Sequence, residues 1–155
     1  MRFSRAFCSG ILLVGLLGCG VTAPAPVGES VRVTFLDVGQ GDAVLIQSPE
    51  GQDALVDAGW SSPVTSLRAL DVDELELLVA THPHADHIGG IADVINSIPV
   101  RFYMDNGQTH TTATYQNLAS TLQQQTDITY LIAEPRSISL GSVGIEVLPL
   151  LPVAS

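Results

Sequence analysis

The chain has 155 residues, 46% of them hydrophobic, which suffices for one small domain with a core and excludes a disordered polymer. The formal net charge is -10, and all six basic residues are Arg, so an acidic surface argues against a broad electrostatic footprint for nucleic acid. A phosphate substrate is not excluded by that charge, because a bound divalent metal brings positive charge of its own.

Taken in order, residues 1–18 read as a secretion signal. Arg2 and Arg5 form a positive start, and Ile11 to Leu17 form an apolar run too short for an ordinary membrane span of about 20 residues. Leu16-Leu17-Gly18-Cys19 resembles a bacterial lipobox, with Cys19 as the lipidated first residue of the mature protein. The expectation is a lipoprotein tethered to a membrane on the extracytoplasmic side; the alternative is a plain cleaved signal with an incidental cysteine. Cys8 lies in the leader, so Cys19 alone would remain and no internal disulfide is possible. Residues 19–30, rich in Pro, Ala and Val, read as an extended tether, and residues 31–155 as the folded part.

Val31, Val33 and Phe35 alternate with other residues as in a strand, and Gly39-Gln40-Gly41 turns the chain into a second strand at Ala43 to Ile46. Ser48-Pro49-Glu50-Gly51 is turn chemistry, followed by a strand ending at Asp57 and stopped by Gly59. Ser62-Pro63 predicts a helix start with Ser62 as cap and Pro63 in the first turn. Leu75 to Ala80 is an almost unbroken apolar run, expected to be a strand buried on both faces. Ile88, Ile91, Val94, Ile95 and Ile98 keep helical spacing until Pro99. Val100 to Met104 predicts a strand, and Tyr115, Leu118 and Leu122 a helix capped near Thr111 or Thr112. Three strands follow, over 128–133, 137–140 and 143–148.

Between the buried strand and the isoleucine helix stands Thr81-His82-Pro83-His84-Ala85-Asp86-His87, then Ile88-Gly89-Gly90. Three of the four histidines of the chain fall within these seven residues, together with a carboxylate. Imidazole and carboxylate are the usual ligands of zinc and similar ions. His82 and His84 are two apart, so on an extended segment both rings point the same way. The chain then turns, and Asp86 and His87 can face a second point, as a two-metal clamp requires. The alternative is a histidine-rich surface loop without metal. His110, in a polar loop, reads as an exposed loop histidine rather than a ligand, and Trp60 as either a substrate rim or a cover for the sheet edge.

The motif resembles the T-H-x-H-x-D-H signature of the metallo-β-lactamase superfamily, whose fold is an αββα sandwich of the α/β class. The resemblance implies metal-dependent hydrolysis at two zinc ions, with manganese or iron as alternatives, held by His82, His84, Asp86 and His87. Asp57, in Leu55-Val56-Asp57-Ala58-Gly59, matches the superfamily aspartate that orients the ligands, and with Asp86 is a candidate catalytic carboxylate. Read from the residues alone, the alternative for Asp57 is a strand-end aspartate accepting backbone N–H groups. Phe35 to Ala43 is similar to the opening of the ComEC-type branch, the hydrolase domain of DNA-uptake competence proteins, which implies a phosphodiester substrate, DNA among the candidates. Asp37, Gln40 and Asp42 around that turn are candidates for the mouth of the site, the alternative being turn-forming residues.

The superfamily completes its metals with a further His, a bridging Asp and a last His, and this sequence has no matching positions for them. The chain is therefore expected to carry the N-terminal part of the sandwich, truncated after its first half. Two rivals accompany the phosphodiesterase. One is a hydrolase of another ester, thioester or lactam; the other is a non-catalytic lipoprotein that binds metal or a partner.

Overall fold

The computed structural model describes residues 30–149. The leader, Cys19 with its expected lipidation, and nearly all of the tether lie outside the described residues, as do residues 150–155. Among the described residues no helix is long and apolar enough to cross a membrane.

Three short strands come first: β1 Arg32–Phe35, β2 Val44–Gln47 and β3 Asp53–Val56. Helix α1, Val64–Ala69, leads to β4, Leu75–Ala80; α2, Ala85–Ile88, and α3, Ile91–Ser97, lead to β5, Val100–Asp105. Helix α4, Ala113–Gln124, precedes β6, Thr129–Ile132, and a hairpin of β7, Arg136–Leu140, and β8, Val143–Val147. The first six strands form one sheet in chain order. β1–β2 and β2–β3 are antiparallel, as hairpins allow, and the pairs joined through helices are parallel. This mixed sheet with helices on one face is the α/β class.

β4 lies in the middle of the sheet, and its apolar run serves both faces. Leu78 and Ala80 join a cluster with Leu67 of α1, Ile91 and Val94 of α3 and Leu118 of α4. Leu77 faces the other way, with Ala54 and Met104, against Leu140 and the apolar side chains of the β7–β8 hairpin. The layers are thus helices, six-stranded sheet and a two-stranded second sheet. The hairpin is also tied at its turn, where Ser142 N–H donates to the Glu50 carboxylate at 3.1 Å. The Ser142 hydroxyl and that N–H hold the Glu50 carboxyl below its ordinary value. On the uncovered part of this face, Val33 and Phe35 of the edge strand are 53% and 80% exposed.

Two local expectations are corrected. α1 starts one residue later than Ser62 would cap: its first turn is closed by Leu67 N–H on Pro63 O, and Pro63, with no side-chain cap, is the boundary residue. The isoleucine helix is split into α2 and α3, because Gly90 N–H leaves the helical ladder to donate to Gly59 O at 3.2 Å. Gly89 allows the close approach that makes this possible, since a Cβ there would lie 2.5 Å from Trp60 O. The α4 cap agrees with the sequence: the Thr112 hydroxyl accepts from Tyr115 N–H.

Candidate metal centre

The centre of the site is the residue after β3. Asp57 still pairs with β4, its N–H donating to Val79 O at 2.8 Å, but its φ of 59° bends the chain away immediately. A left-handed non-glycine residue is disfavoured by about 1 kcal/mol or more, and aspartate is among the few that tolerate it. The bend leaves its carboxylate 3% exposed beneath the loop that follows β4. One oxygen accepts Thr81 N–H at 2.8 Å. The other accepts the Thr81 hydroxyl at 2.7 Å and meets His87 Nδ1 at 2.8 Å. A carboxylate only accepts, so His87 donates from Nδ1, and the neutral tautomer consistent with that bond has Nε2 as its lone-pair nitrogen.

Three rings are gathered here. His82 and His84 have centroids 4.7 Å apart, and His82 and His87 4.0 Å. His84 is the extended boundary residue of α2, and Asp86 lies in its first turn, half-buried. α2 is pinned from the β3 side by Ala58 N–H donating to His87 O at 2.8 Å. It is braced from the β1–β2 turn at Gly41, whose φ is 94° and where a Cβ would lie 1.5 Å from Asp86 O. That turn carries Asp37, Gln40 and Asp42, all exposed. Its contacts are local or through the backbone: the Asp37 carboxylate accepts Gly39 N–H, Gln40 O accepts Trp60 N–H, and Asp42 O accepts Gly59 N–H. Trp60 itself is 60% exposed.

The loop after β5 forms the opposite wall. Asn106 Nδ2 donates to Thr81 O at 3.0 Å, and His110, half-buried rather than exposed, brings its ring within 6.0 Å of His84. Thr81, Asn106 and His110 are thus parts of the site to which the sequence assigned no role. The register Ala80 opposite Asp105 explains two of them, since it sets Thr81 beside Asn106 just beyond the paired strands. Behind this wall a cleft of about 310 Å³ opens between α4 and the β5–β6 edge, lined by Tyr103, Tyr115, Leu118, Leu122, Ile128 and Tyr130. Tyr130 donates to Asp105 Oδ1 at 2.6 Å, and burial pushes the Tyr103 and Tyr130 phenols well above the usual tyrosine range.

In kind, the donor set fits a zinc-like ion: imidazoles, one of them tied to Asp57 through Nδ1 so that its Nε2 is left for a ligand, and a carboxylate on one loop. In number it is short. Among the described residues, no three His, Cys, Asp or Glu side chains close on one point as a group that could hold a metal. The gathered rings offer pairs of ligands, whereas a catalytic zinc takes about three protein ligands and a water.

The family model described as metallo-beta-lactamase superfamily matches residues 36–131, which include Asp57 and the whole histidine loop. The chain belongs to the metallo-β-lactamase superfamily. Among curated superfamily relatives, a hydroxyacylglutathione hydrolase of Vibrio campbellii is 38% identical over 55 residues, covering 36% of this chain and 22% of that protein. Hydroxyacylglutathione hydrolase 2 of Vibrio vulnificus is 40% identical over 55 residues, with the same coverage. The matched stretch is thus 22% of the length of these relatives. A solved diphosphatase of the PhnP family aligns with a TM-score of 0.45 and 21% identity, over 64% of this chain and 40% of that one. The narrower ComEC-type branch has no counterpart in these relatives.

Proposed function

We propose that the protein is a metal-dependent hydrolase whose ions are held by His82, His84, Asp86 and His87, with zinc as the first choice and manganese or iron as alternatives. The observation that carries this is the Asp57 carboxylate, which ties Thr81 and His87 together through His87 Nδ1, leaving Nε2 of a ring that lies beside His82, itself beside His84. A metal bound there supplies Lewis acidity and an activated water. Asp57 holds the loop in one conformation, so little reorganisation accompanies binding. Asp86 is the carboxylate of the set, able both to ligate and to accept a proton. Each ion needs at least one more protein ligand than these four residues provide.

The substrate class we favour is an ester-type bond, with a thioester first, because the matched relatives are named for hydroxyacylglutathione. A phosphodiester is the second, favoured by the ComEC-like turn of residues 35–43. Charge argues against nucleic acid as the preferred form of it. Among the described residues, Arg68, Arg101 and Arg136 donate to Ser97 O, Glu76 and Glu134 respectively, which leaves Arg32 on the edge strand as the one other described arginine for a polyanion. The shortage of ligands among the described residues is the observation behind one further reading, a metal-binding lipoprotein without catalysis. In either case the lipobox-like Cys19 supports attachment to a membrane on the extracytoplasmic side.

The test is hydrolysis of a hydroxyacylglutathione and of bis-p-nitrophenyl phosphate, with and without chelator. Turnover of the thioester that chelator abolishes and zinc restores is expected. Turnover of the phosphodiester alone would move the function to the second class. No turnover of either, with zinc bound, would favour the non-catalytic reading.

A further inference from the structure

We propose that Thr81 is a positioning residue that carries the hold of Asp57 from one histidine to a second, fixing the tautomer of His82. The proposal deepens the metal-site reading above and rests on it for its consequence, though not for its geometry.

Every polar group of Thr81 is engaged. Its N–H and its hydroxyl oxygen lie 2.8 and 2.7 Å from the two oxygens of Asp57, and its carbonyl accepts from Asn106 Nδ2 at 3.0 Å. The residue is therefore held by β3, through Asp57, and by the loop after β5. The hydroxyl has one proton, and a carboxylate can only accept it. Having donated to Asp57, the oxygen is left as an acceptor. Its remaining neighbour is His82 Nδ1 at 3.0 Å. That contact is attractive only if His82 carries its proton on Nδ1; the other tautomer would set two lone pairs against each other. His82 thus presents Nε2 as the lone-pair nitrogen. His87, which touches the same Asp57 oxygen directly at 2.8 Å, does the same. One buried carboxylate thereby sets two rings whose centroids are 4.0 Å apart, one directly and one through a hydroxyl. A histidine side chain free in water prefers the proton on Nε2, so without the relay His82 would have to exchange tautomers before binding an ion through Nε2. Partners of this kind are worth about 10- to 100-fold in metal affinity.

The experiment reads ¹⁵N shifts of the ring nitrogens in the metal-free protein, at a pH well above the ordinary histidine value of about 6.5, and zinc affinity by competition with a chromogenic chelator. In the wild type both His82 and His87 are expected to carry the proton on Nδ1. Thr81→Val, which keeps the branched shape and removes the hydroxyl, is expected to shift His82 toward Nε2–H. It should leave His87 unchanged and weaken zinc binding about tenfold or more. Thr81→Ser should keep the wild-type tautomer and affinity. A wild-type His82 protonated on Nε2 would overturn the proposal by itself, whether or not Thr81→Val folds. A valine variant with unchanged His82 tautomer and unchanged affinity would do so as well. A locked tautomer in a protein that hydrolyses neither substrate would support Thr81 while removing the proposed function.

Discussion

Strand β3 runs between two buried carboxylates, and its two ends differ in how they treat them. At its start, Asp53 is 6% exposed and receives one side-chain hydrogen bond, from Gln47 Nε2 at 3.0 Å, while Gln47 Oε1 is buried with no partner. Burial, opposed by that hydrogen bond, pushes the Asp53 carboxyl above its ordinary value. Just past its end, Asp57 is 3% exposed and accepts from Thr81 twice and from His87 once. Two carboxylates at the two ends of one strand, both out of water, thus differ in satisfaction. The poorly satisfied one lines a polar recess with Glu74, Glu76 and Arg101, away from the histidine loop. The fully satisfied one holds the histidine loop, where an orienting carboxylate is useful only if it has a fixed place of its own.

The largest effect is expected from removing the satisfied carboxylate. Asp57→Ala leaves Thr81 N–H, the Thr81 hydroxyl and His87 Nδ1 without their acceptor and keeps a left-handed backbone that Ala disfavours. A loss of about 3 kcal/mol or more is expected from such buried unpaired groups, read from the denaturant midpoint. Asp57→Asn keeps an acceptor and tolerates the backbone, so it should lose less stability. A loss for Asp57→Ala no greater than that of an ordinary surface substitution would remove the distinction between the two ends of the strand.

Next is the brace from the β1–β2 turn. Gly41→Ala places a Cβ against Asp86 O and forces an L-residue to a φ of 94°. Together these should destabilise by about 2–4 kcal/mol, and the displaced α2 should show as shifted amide resonances at Asp86 and His87. Unmoved resonances there would mean that the turn is not docked on α2 in solution.

The smallest effect concerns the other end of β3. A carboxyl whose folded value lies above its unfolded value of 3.8 favours the folded state when protonated and opposes it when ionised. Asp53→Asn mimics the protonated form and still accepts from Gln47. The variant should therefore be more stable than the wild type at neutral pH. The difference should shrink as pH falls and vanish below about 3.8, where Asp53 is protonated in both states. Thermal melts from pH 3 to 7 read this directly, and a difference that grows toward low pH would reverse the sign.

Much of this was legible in the sequence, for physical reasons that also mark where legibility stops. Leu75–Ala80 is readable as a strand buried on both faces because its apolar residues do not alternate, and the strand has those bounds. The gathering of His82, His84 and His87 follows from spacing along one loop, which needs no knowledge of the rest of the chain. The break at Gly89-Gly90 was not legible, because it depends on the Gly59 carbonyl reaching Gly90 N–H from a segment some thirty residues earlier. Asn106 and His110 were missed for the same reason. Their nearness to Thr81 and His84 follows from β5 lying beside β4, and from a left-handed Gly107, φ 72°, in the loop that closes toward the histidines. A polar loop looks exposed until its neighbour in the sheet is known.

The most direct test of the central claim is a zinc titration of the purified protein alongside His82→Ala, His87→Ala and His110→Ala, with heat and stoichiometry recorded together. The account predicts saturable binding that His82→Ala and His87→Ala each weaken about a hundredfold or more, as loss of a direct ligand exceeds the 10- to 100-fold effect of its supporting partners. His110→Ala should change it only a few-fold. Binding that survives His82→Ala and His87→Ala undiminished, or no saturable binding by the wild type, would contradict it.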